Sequence, residues 1–207
     1  MTNKSRLFER YPVLRPCEDS YYQALKILSA SFRQEGKLLV MGNGGSSADA
    51  EHFCGELTKG FLSKRKLSAN QRQKFDLIDP KLADNLQNGL SAFSLGVAHS
   101  LISAFSNDVD PTYVYAQQIF IQAKARDVVF AISTSGNSKN VVEGLKVAKA
   151  MGLKTIALTG PADSALSKLA DVTIKVPGNI VYEIQELHLP IYHGLCIELE
   201  QEFFGES

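Results

Sequence analysis

Apolar and polar positions alternate along the chain in the manner of strands and helices that follow one another. Apolar residues at helical spacing in "YYQALKILSASFRQEG" predict an N-terminal helix over residues 18–35, and the apolar run "KLLVMG" behind it predicts a buried strand. The last helix is predicted over Val181 to Phe204. Four more strands are predicted at "SAFSLG", "DVVFAIS", "KTIALTG" and "VTIKVP". Because helices separate these strands, the pattern predicts an α/β fold with a parallel sheet covered on both faces.

One polar segment interrupts the alternation. Residues 61–89 are mixed in charge, and "PKLADNLQNG" within them favours a short helix. We interpret this segment as an insertion, a flap or a subunit contact within a single domain that spans residues 1–207. Its basic stretch at residues 63–74, "SKRKLSANQRQK", is short and poor in aromatic residues, so we expect a solvated loop or an exposed helix face.

Composition and charge exclude several classes of protein. The 22 Lys and Arg residues balance the 22 Asp and Glu residues, so the chain has no overall field that would attract a nucleic acid. The N-terminus lacks the apolar core of a leader peptide, and no run of about 18 apolar residues occurs, so no membrane segment is predicted. Cys17, Cys54 and Cys196 are odd in number and have no CxxC spacing, which indicates reduced thiols in the cytoplasm.

Two turns rich in glycine and hydroxyl groups carry the first functional signal. "GNGGSS" (42–47) and "STSGNS" (133–138) each follow a buried-type strand and open a helix. Backbone N–H groups and the dipole at a helix N-terminus favour an anion, and both turns would lie at the carboxyl edge of the sheet. The turns therefore predict a phosphate site that needs no lysine. Glycine for tight turns and serine for helix capping is the alternative, and it stays open for either turn alone.

Neither turn matches a nucleotide-binding loop. The sequence GxxxxGK[ST] is absent, and "GNGGSS" lacks the third glycine of the dinucleotide fingerprint. No nucleotide cofactor is expected.

Several motifs in the same order resemble the sugar isomerase (SIS) family, specifically its phosphoheptose isomerase branch. They are "GNGGSSADAEHFCGELT", "SND" at 106–108, "RDVVFAISTSGNSKNV", "TIALTG" and "IQELHLPIYH", and the similarity runs from Tyr22 to Glu200. The resemblance implies a flavodoxin-like three-layer αβα SIS domain with a central five-stranded parallel sheet. It also implies a homotetramer with active sites at subunit interfaces, and conversion of sedoheptulose 7-phosphate into a heptose 7-phosphate.

The resemblance also implies roles for individual residues. The substrate sugar would meet the first turn at Asn43 and Gly44, and would meet Asp108 from "SND". Four further residues match positions that surround the reacting carbons and hold a zinc ion in some members, namely His52, Glu56, Gln185 and His193. Phosphate binding would fall to Ser46, Ser133, Thr134, Ser135 and Ser138.

The chemistry of isomerisation asks for such groups independently. Moving a carbonyl group between adjacent carbons needs a base for the proton and an acid that polarises the carbonyl oxygen. His52 and Glu56 are four residues apart, so they project from one face of the predicted helix. We assign Glu56 as the base and His193 as the acid. An ordinary surface ion pair is the alternative for His52 and Glu56, and the phosphate turn just upstream favours the functional interpretation.

Zinc is a chemically reasonable ligand of these side chains, because two imidazoles, a carboxylate and an amide oxygen can surround it with open positions. Gln185 and His193 are eight residues apart, which corresponds to about 12 Å along a straight helix. Pro190 lies between them and is expected to kink the helix. For His188 a structural role and a catalytic role both stay open.

The sequence departs from the family pattern at two places. "TKG" stands where the family often has "TGR" after the glutamate, and Tyr182 stands where an aspartate is common. These changes leave room for a different sugar phosphate. Two other classes are alternatives: a non-catalytic SIS regulator of the replication-initiator-partner type, and a lyase or deaminating sugar isomerase. The joint presence of His52, Glu56, Gln185 and His193 disfavours the regulator.

Overall fold

A five-stranded parallel sheet forms the centre of the protein in the computed structural model, which describes residues 6–205. The strand order is β2-β1-β3-β4-β5, and every neighbouring pair is parallel. The strands are Leu38–Met41 (β1), Ala92–Ser94 (β2), Val128–Ser133 (β3), Lys154–Thr159 (β4) and Val172–Lys175 (β5). The predicted flavodoxin-like sheet is therefore confirmed, with each strand in its predicted segment.

Helices cover both faces of this sheet, as predicted. The helices are Leu7–Arg10 (α1), Glu18–Arg33 (α2), Gly45–Thr58 (α3), Ala69–Asp76 (α4), Pro80–Asn85 (α5), His99–Asp108 (α6), Val114–Gln122 (α7), Lys139–Ala150 (α8), Ala165–Leu169 (α9) and Val181–Phe204 (α10). Helix α10 has the predicted bounds and continues through Pro190 without a break, whereas α2 ends two residues before its predicted end.

Alternate side chains of the central strands build two separate cores. Leu38 and Val40 of β1 point to the side covered by α2, α3 and α10, and Leu39 and Met41 point to the side covered by α7 and α8. All residues of β1 and β3 are buried. A strand buried on both faces reads as a continuous apolar run, which is why these two segments are so clear in the sequence.

The connections place the ends of β1 and β3 side by side. These strands are neighbours, with Met41 opposite Ala131. The chain leaves β1 towards edge strand β2 and later crosses back to β3, so the order reverses between β1 and β3. In open parallel sheets, ligands bind outside the carboxyl ends at such a switch point.

The segment over residues 61–89 contains two short helices, α4 and α5, that pack against each other. Helix α4 begins with a capping box formed by Ser68 and Gln71. Most of the basic stretch at residues 63–74 is exposed, as expected, with one exception. Arg65 is buried rather than solvated, because its guanidinium pairs with the buried Glu200 of α10. Within residues 6–205, no helix has the length and apolar character needed to cross a bilayer.

Candidate active site

The first predicted phosphate turn follows β1 and opens α3. Gly44 has a φ of 55°, a conformation that side chains with a Cβ atom rarely adopt. The turn is closed by the Ser46 N–H, which donates to the Asn43 carbonyl at 3.0 Å. Ser46 is buried, whereas Asn43 and Gly44 are exposed. The first turn therefore presents its backbone and one amide side chain at the start of a helix.

The second turn follows β3 and opens α8. Ser133, the last residue of β3, lies 3.1 Å from Ser138 through the two hydroxyl oxygens. Gly136 has a φ of 64°, and a Cβ atom there would meet the Ser164 hydroxyl oxygen at 2.2 Å. Thr134 and Ser135 lie between Ser133 and Gly136 in the chain, and Ser135 is exposed. The predicted hydroxyl donors of this turn are thus gathered within six residues.

A pair of amide side chains joins the two turns. Asn43 Nδ2 donates to Asn140 Oδ1 at 2.7 Å, and Asn140 Nδ2 donates back to Asn43 Oδ1 at 2.9 Å. The structure therefore brings the two predicted turns together at the carboxyl edge of β1 and β3. Asp108, in contrast, is the exposed last residue of α6 and accepts a hydrogen bond from its neighbour Asn107. No described hydrogen bond or ion pair links Asp108 to either turn.

His52 and Glu56 lie on one face of α3, as their spacing predicted. His52 Nε2 is 3.3 Å from Glu56 Oε1, and the Lys59 ammonium is 2.5 Å from Glu56 Oε2. The Glu56 side chain is only 14% exposed, whereas the His52 side chain is 44% exposed. Lys59 belongs to the "TKG" departure, and its ammonium pairs with Glu56 in this chain.

His193 approaches this pair from α10. Its ring centroid is 5.0 Å from that of His52, and the rings are perpendicular. Burial lowers the pKa of His193, the neighbouring His52 lowers it further, and Glu56 opposes the shift. Its Nε2 atom is buried and has no hydrogen-bond partner among the described residues. His193 is therefore a neutral imidazole with one ring nitrogen unused.

Asp49 and Tyr192 fix the orientation of His52. The Tyr192 hydroxyl donates to Asp49 Oδ1 at 3.3 Å and lies 3.1 Å from His52 Nδ1. Burial and the Asp49 carboxylate raise the pKa of the Tyr192 hydroxyl, which keeps its proton. A phenol has one proton to donate, so His52 Nδ1 donates to the Tyr192 oxygen.

Gln185 lies at the other end of α3 from His193. Its Nε2 is 3.5 Å from Asp49 Oδ2, and a Cβ atom at Gly45 would fall 1.9 Å from the same nitrogen. Gly45 therefore provides room for the Gln185 amide. Gln185 contacts Asp49 while His193 contacts His52, so the two residues do not converge on one point of α3.

The arrangement bears on the expected zinc site. The described residues contain no group of three His, Cys, Asp or Glu side chains placed to hold a metal ion. His52, Glu56 and His193 carry the donor atoms that zinc prefers and lie near one another, whereas the Gln185 amide lies beside Asp49.

His188 is fully buried on α10 among the core residues. Burial lowers its pKa to about 4, with the Thr159 backbone acting in the opposite direction. It is a neutral core histidine, in line with the structural role that the sequence left open.

Several residues of the site were not predicted from the sequence. Asp49 precedes His52 by three residues and Glu56 by seven, so the helical spacing could have revealed it. Tyr192 and Asn140 act from other helices, and no spacing in the sequence signals their contacts.

Comparisons with known proteins give this geometry a context. Residues 91–185 match the family described as the SIS domain. The chain is 39% identical over 176 residues to a Thermoplasma acidophilum protein named probable phosphoheptose isomerase. The matched region covers 85% of each chain.

Two solved structures are also similar. One is the phosphoheptose isomerase of Neisseria gonorrhoeae, with a TM-score of 0.74 and 29% identity, covering 93% of this chain and 94% of that one. The other is a phosphoheptose isomerase of Francisella tularensis, with a TM-score of 0.77 and 27% identity, covering 93% and 91%. The likeness thus extends over most of the chain.

Proposed function

This chain belongs to the phosphoheptose isomerase family of SIS-domain proteins, and from this we propose that it interconverts a ketose phosphate and an aldose phosphate. Sedoheptulose 7-phosphate is the proposed substrate and a heptose 7-phosphate the product. The observation that carries the proposal is that His193 of α10 meets His52 and Glu56 of α3.

The reaction moves a proton between neighbouring carbons through an enediolate. The Glu56 carboxylate takes the proton from the carbon that carries the hydroxyl group and returns it to the neighbouring carbon. His193 is neutral because burial lowers its pKa, so its ring can donate to or accept from a substrate oxygen without bearing charge. Its partnerless Nε2 supports this role.

The phosphate is held by neutral donors in this proposal. The hydroxyl groups of Ser133, Ser135 and Ser138, together with the N-termini of α3 and α8, supply hydrogen bonds and a favourable dipole. The phosphate anchors the substrate, which leaves the proton transfer to Glu56 and His193. Relatives that match over most of the chain are named as isomerases, so the regulatory alternative is not favoured.

We extend the proposal to a homo-oligomer, a tetramer, in which two subunits build each active site. Along α3, Ser46 and Glu56 are ten residues apart, a rise of about 15 Å. An extended seven-carbon chain with a terminal phosphate spans about 10 Å, from bonds of about 1.5 Å. This mismatch supports a site in which the turns of one subunit face Glu56 of another. Exposed Phe93, Phe120 and Ile121 offer apolar surface for such contacts.

Zinc is a further part of the proposal. Its support is the donor chemistry of His52, Glu56 and His193 and the unused Nε2 of His193. If bound, the ion supplies positive charge that polarises the substrate carbonyl. Metal analysis of the purified protein, with activity before and after chelation, tests this part. Full activity in a metal-free sample contradicts it.

We also place the protein in the cytoplasm, which is supported by its three buried, free cysteines, Cys17, Cys54 and Cys196.

The main test is turnover of a panel of sugar phosphates by wild type and by Glu56→Gln. We expect Glu56→Gln to lower kcat by about 10²- to 10⁴-fold, the range for loss of a general base, with little change in KM. Glu51→Gln is the matched control, because it makes the same change at an exposed position of α3. Turnover by Glu56→Gln at the wild-type rate, or no turnover of any sugar phosphate by wild type, contradicts the proposal.

Mixed oligomers test the shared site. Ser135→Asp puts a negative charge into the phosphate turn, and Glu56→Gln removes the base, so each variant alone is expected to be inactive. Co-expression of the two restores about a quarter of wild-type activity if two subunits share each site at random. Absence of any recovery in confirmed mixed oligomers contradicts a shared site.

A further inference from the structure

The Asn43–Asn140 amide pair is the hydrogen-bonded link between the two turns among the described residues. The backbone hydrogen bonds of the first turn stay within it, from the Ser46 N–H to the Asn43 carbonyl and from the Ser47 N–H to the Gly44 carbonyl. The two reciprocal amide bonds, at 2.7 and 2.9 Å, cross the gap from the end of β1 to the start of α8. Asn140 therefore links the two turns through side chains, in addition to the pairing of β1 with β3.

The backbone determines which way the Asn140 amide faces. The Val141 N–H donates to Asn140 Oδ1 at 3.0 Å. An amide side chain accepts through its oxygen and donates through its nitrogen, so this bond assigns the two ends of Asn140. Asn140 Nδ2 must then point to Asn43 Oδ1. The orientation of Asn140 consequently fixes the orientation of Asn43.

Asn43 is left with one free hydrogen-bonding group. Its Oδ1 accepts from Asn140 Nδ2 at 2.9 Å, while the single proton of the nearby Tyr115 hydroxyl is donated to the Gly42 carbonyl. One of its two Nδ2 hydrogens is engaged with Asn140 Oδ1. The second Nδ2 hydrogen has no described partner, and Asn43 is exposed. Asn43 thus offers an N–H donor to a ligand in the turns.

We propose that Asn140 is a positioning residue that holds Asn43 as a hydrogen-bond donor towards a sugar oxygen. This inference rests on the proposed function, since it assumes that a sugar phosphate occupies the turns. A donor held in place favours an acceptor oxygen, and most strongly one that gains negative charge, as the carbonyl oxygen does when the enediolate forms. Asn140 therefore acts on the sugar through Asn43, whereas the serine hydroxyls act on the phosphate.

A double-mutant cycle distinguishes this role from general support of the fold. Binding of sedoheptulose 7-phosphate and of inorganic phosphate is measured by calorimetry for wild type, Asn43→Ala, Asn140→Ala and the double variant. We expect Asn140→Ala to weaken sugar phosphate binding about tenfold, as for one lost hydrogen bond, and phosphate binding less than about twofold. The double variant is expected to bind no more weakly than Asn43→Ala, because Asn140 acts through Asn43.

Asn137→Ala is the matched control in the same turn. The Asn137 side chain donates to the Ser135 carbonyl and accepts from the Ala165 N–H, without contact to Asn43. If Asn137→Ala weakens sugar phosphate binding, we expect it to weaken binding by the same factor when Asn43→Ala is also present. Thermal unfolding of each variant verifies that the turns are still part of a folded protein.

Three outcomes overturn the inference. The first is that Asn140→Ala binds the sugar phosphate as tightly as wild type. The second is that the double variant loses affinity by the product of the two single losses. The third is that Asn140→Ala weakens the binding of phosphate and of sugar phosphate by the same factor. The proposed function fails separately, if wild type binds sedoheptulose 7-phosphate without converting any sugar phosphate. The binding cycle then still decides the role of Asn140. If wild type binds no sugar phosphate, both proposals are wrong.

Discussion

Replacement of Arg65 by methionine gives a sharp test of how the segment after α3 is held. The Arg65 side chain is fully buried and the Glu200 side chain is 6% exposed. Arg65 Nε donates to Glu200 Oε1 at 2.7 Å, and its other nitrogens donate to the Leu57 and Glu56 carbonyls at 2.6 and 3.2 Å. Arg65→Met keeps much of the apolar stem and removes all three donors.

The size of the effect follows from what remains buried. Without Arg65, the Glu200 carboxylate keeps the N–H donors of Phe61, Leu62 and Ser63 but loses its positive partner. Removing one member of a buried pair costs about 3–5 kcal/mol. Since the three N–H donors still compensate part of the charge, we expect a loss at the lower end, about 3 kcal/mol of unfolding free energy.

Urea denaturation at one fixed protein concentration measures this loss, because oligomers gain stability with concentration. Arg72→Met is the matched control. It removes an arginine of the same segment that pairs at 2.7 Å with exposed Asp84, and no measurable change in the midpoint is expected. If Arg65→Met costs less than about 1 kcal/mol, or no more than the control, the clamp formed by Arg65 and Glu200 does not stabilise the protein.

Acid provides an independent check of the same clamp. Burial raises the pKa of Glu200, but the Phe61 and Leu62 N–H groups and Arg65 outweigh it, so the pKa lies below its ordinary value. The ionised carboxylate therefore stabilises the folded state above the ordinary pKa, and this contribution is lost as pH falls through the lowered pKa. The difference in unfolding free energy between wild type and Arg65→Met should accordingly become smaller at the most acidic pH. A gap that widens there contradicts the argument.

Three further predictions address other parts of the protein. Ser135→Ala removes a phosphate donor and should raise KM about tenfold for a phosphorylated substrate, as steady-state kinetics can show; an unchanged KM speaks against this role. Because burial lowers the pKa of His188 to about 4, the unfolded state alone takes up this proton between about pH 6.5 and 4. Wild type should therefore lose up to about 3 kcal/mol in that range, measured by urea denaturation, and His188→Leu should lack this component. Gly45→Ala displaces the end of the flexible Gln185 side chain and should change the melting temperature little, whereas Gly44→Ala, with a φ of 55° and no atom within 4 Å of a Cβ, should lower it through backbone strain alone.

The sheet and its helices could be predicted because their signals are local. The buried runs in β1 and β3 and the helical spacing in α2 and α10 appear directly as apolar patterns. The burial of Arg65 was not predictable, because its partner, Glu200, lies 135 residues away. A basic stretch carries no sign of a carboxylate that packs against it from a distant helix.

The candidate site was predictable to the extent that it lies on single elements. The two turns and the His52–Glu56 pair follow from spacing, and the resemblance to the isomerase family added His193 and Gln185. Contacts between elements were not accessible, since the Tyr192 hydroxyl reaches His52 only after α10 packs on α3.

The position of the α4–α5 pair has a practical consequence. In a parallel unit the helix after β1 runs back towards the amino ends of the strands, so the segment that follows α3 starts at the edge of the sheet opposite to the two turns. Leu77 and Ile78, between α4 and α5, are each 82% exposed. Exposed loop tips are the places where added domains are tolerated. A fluorescent reporter inserted at residues 77–78 would therefore enter the chain away from the two turns of its own subunit.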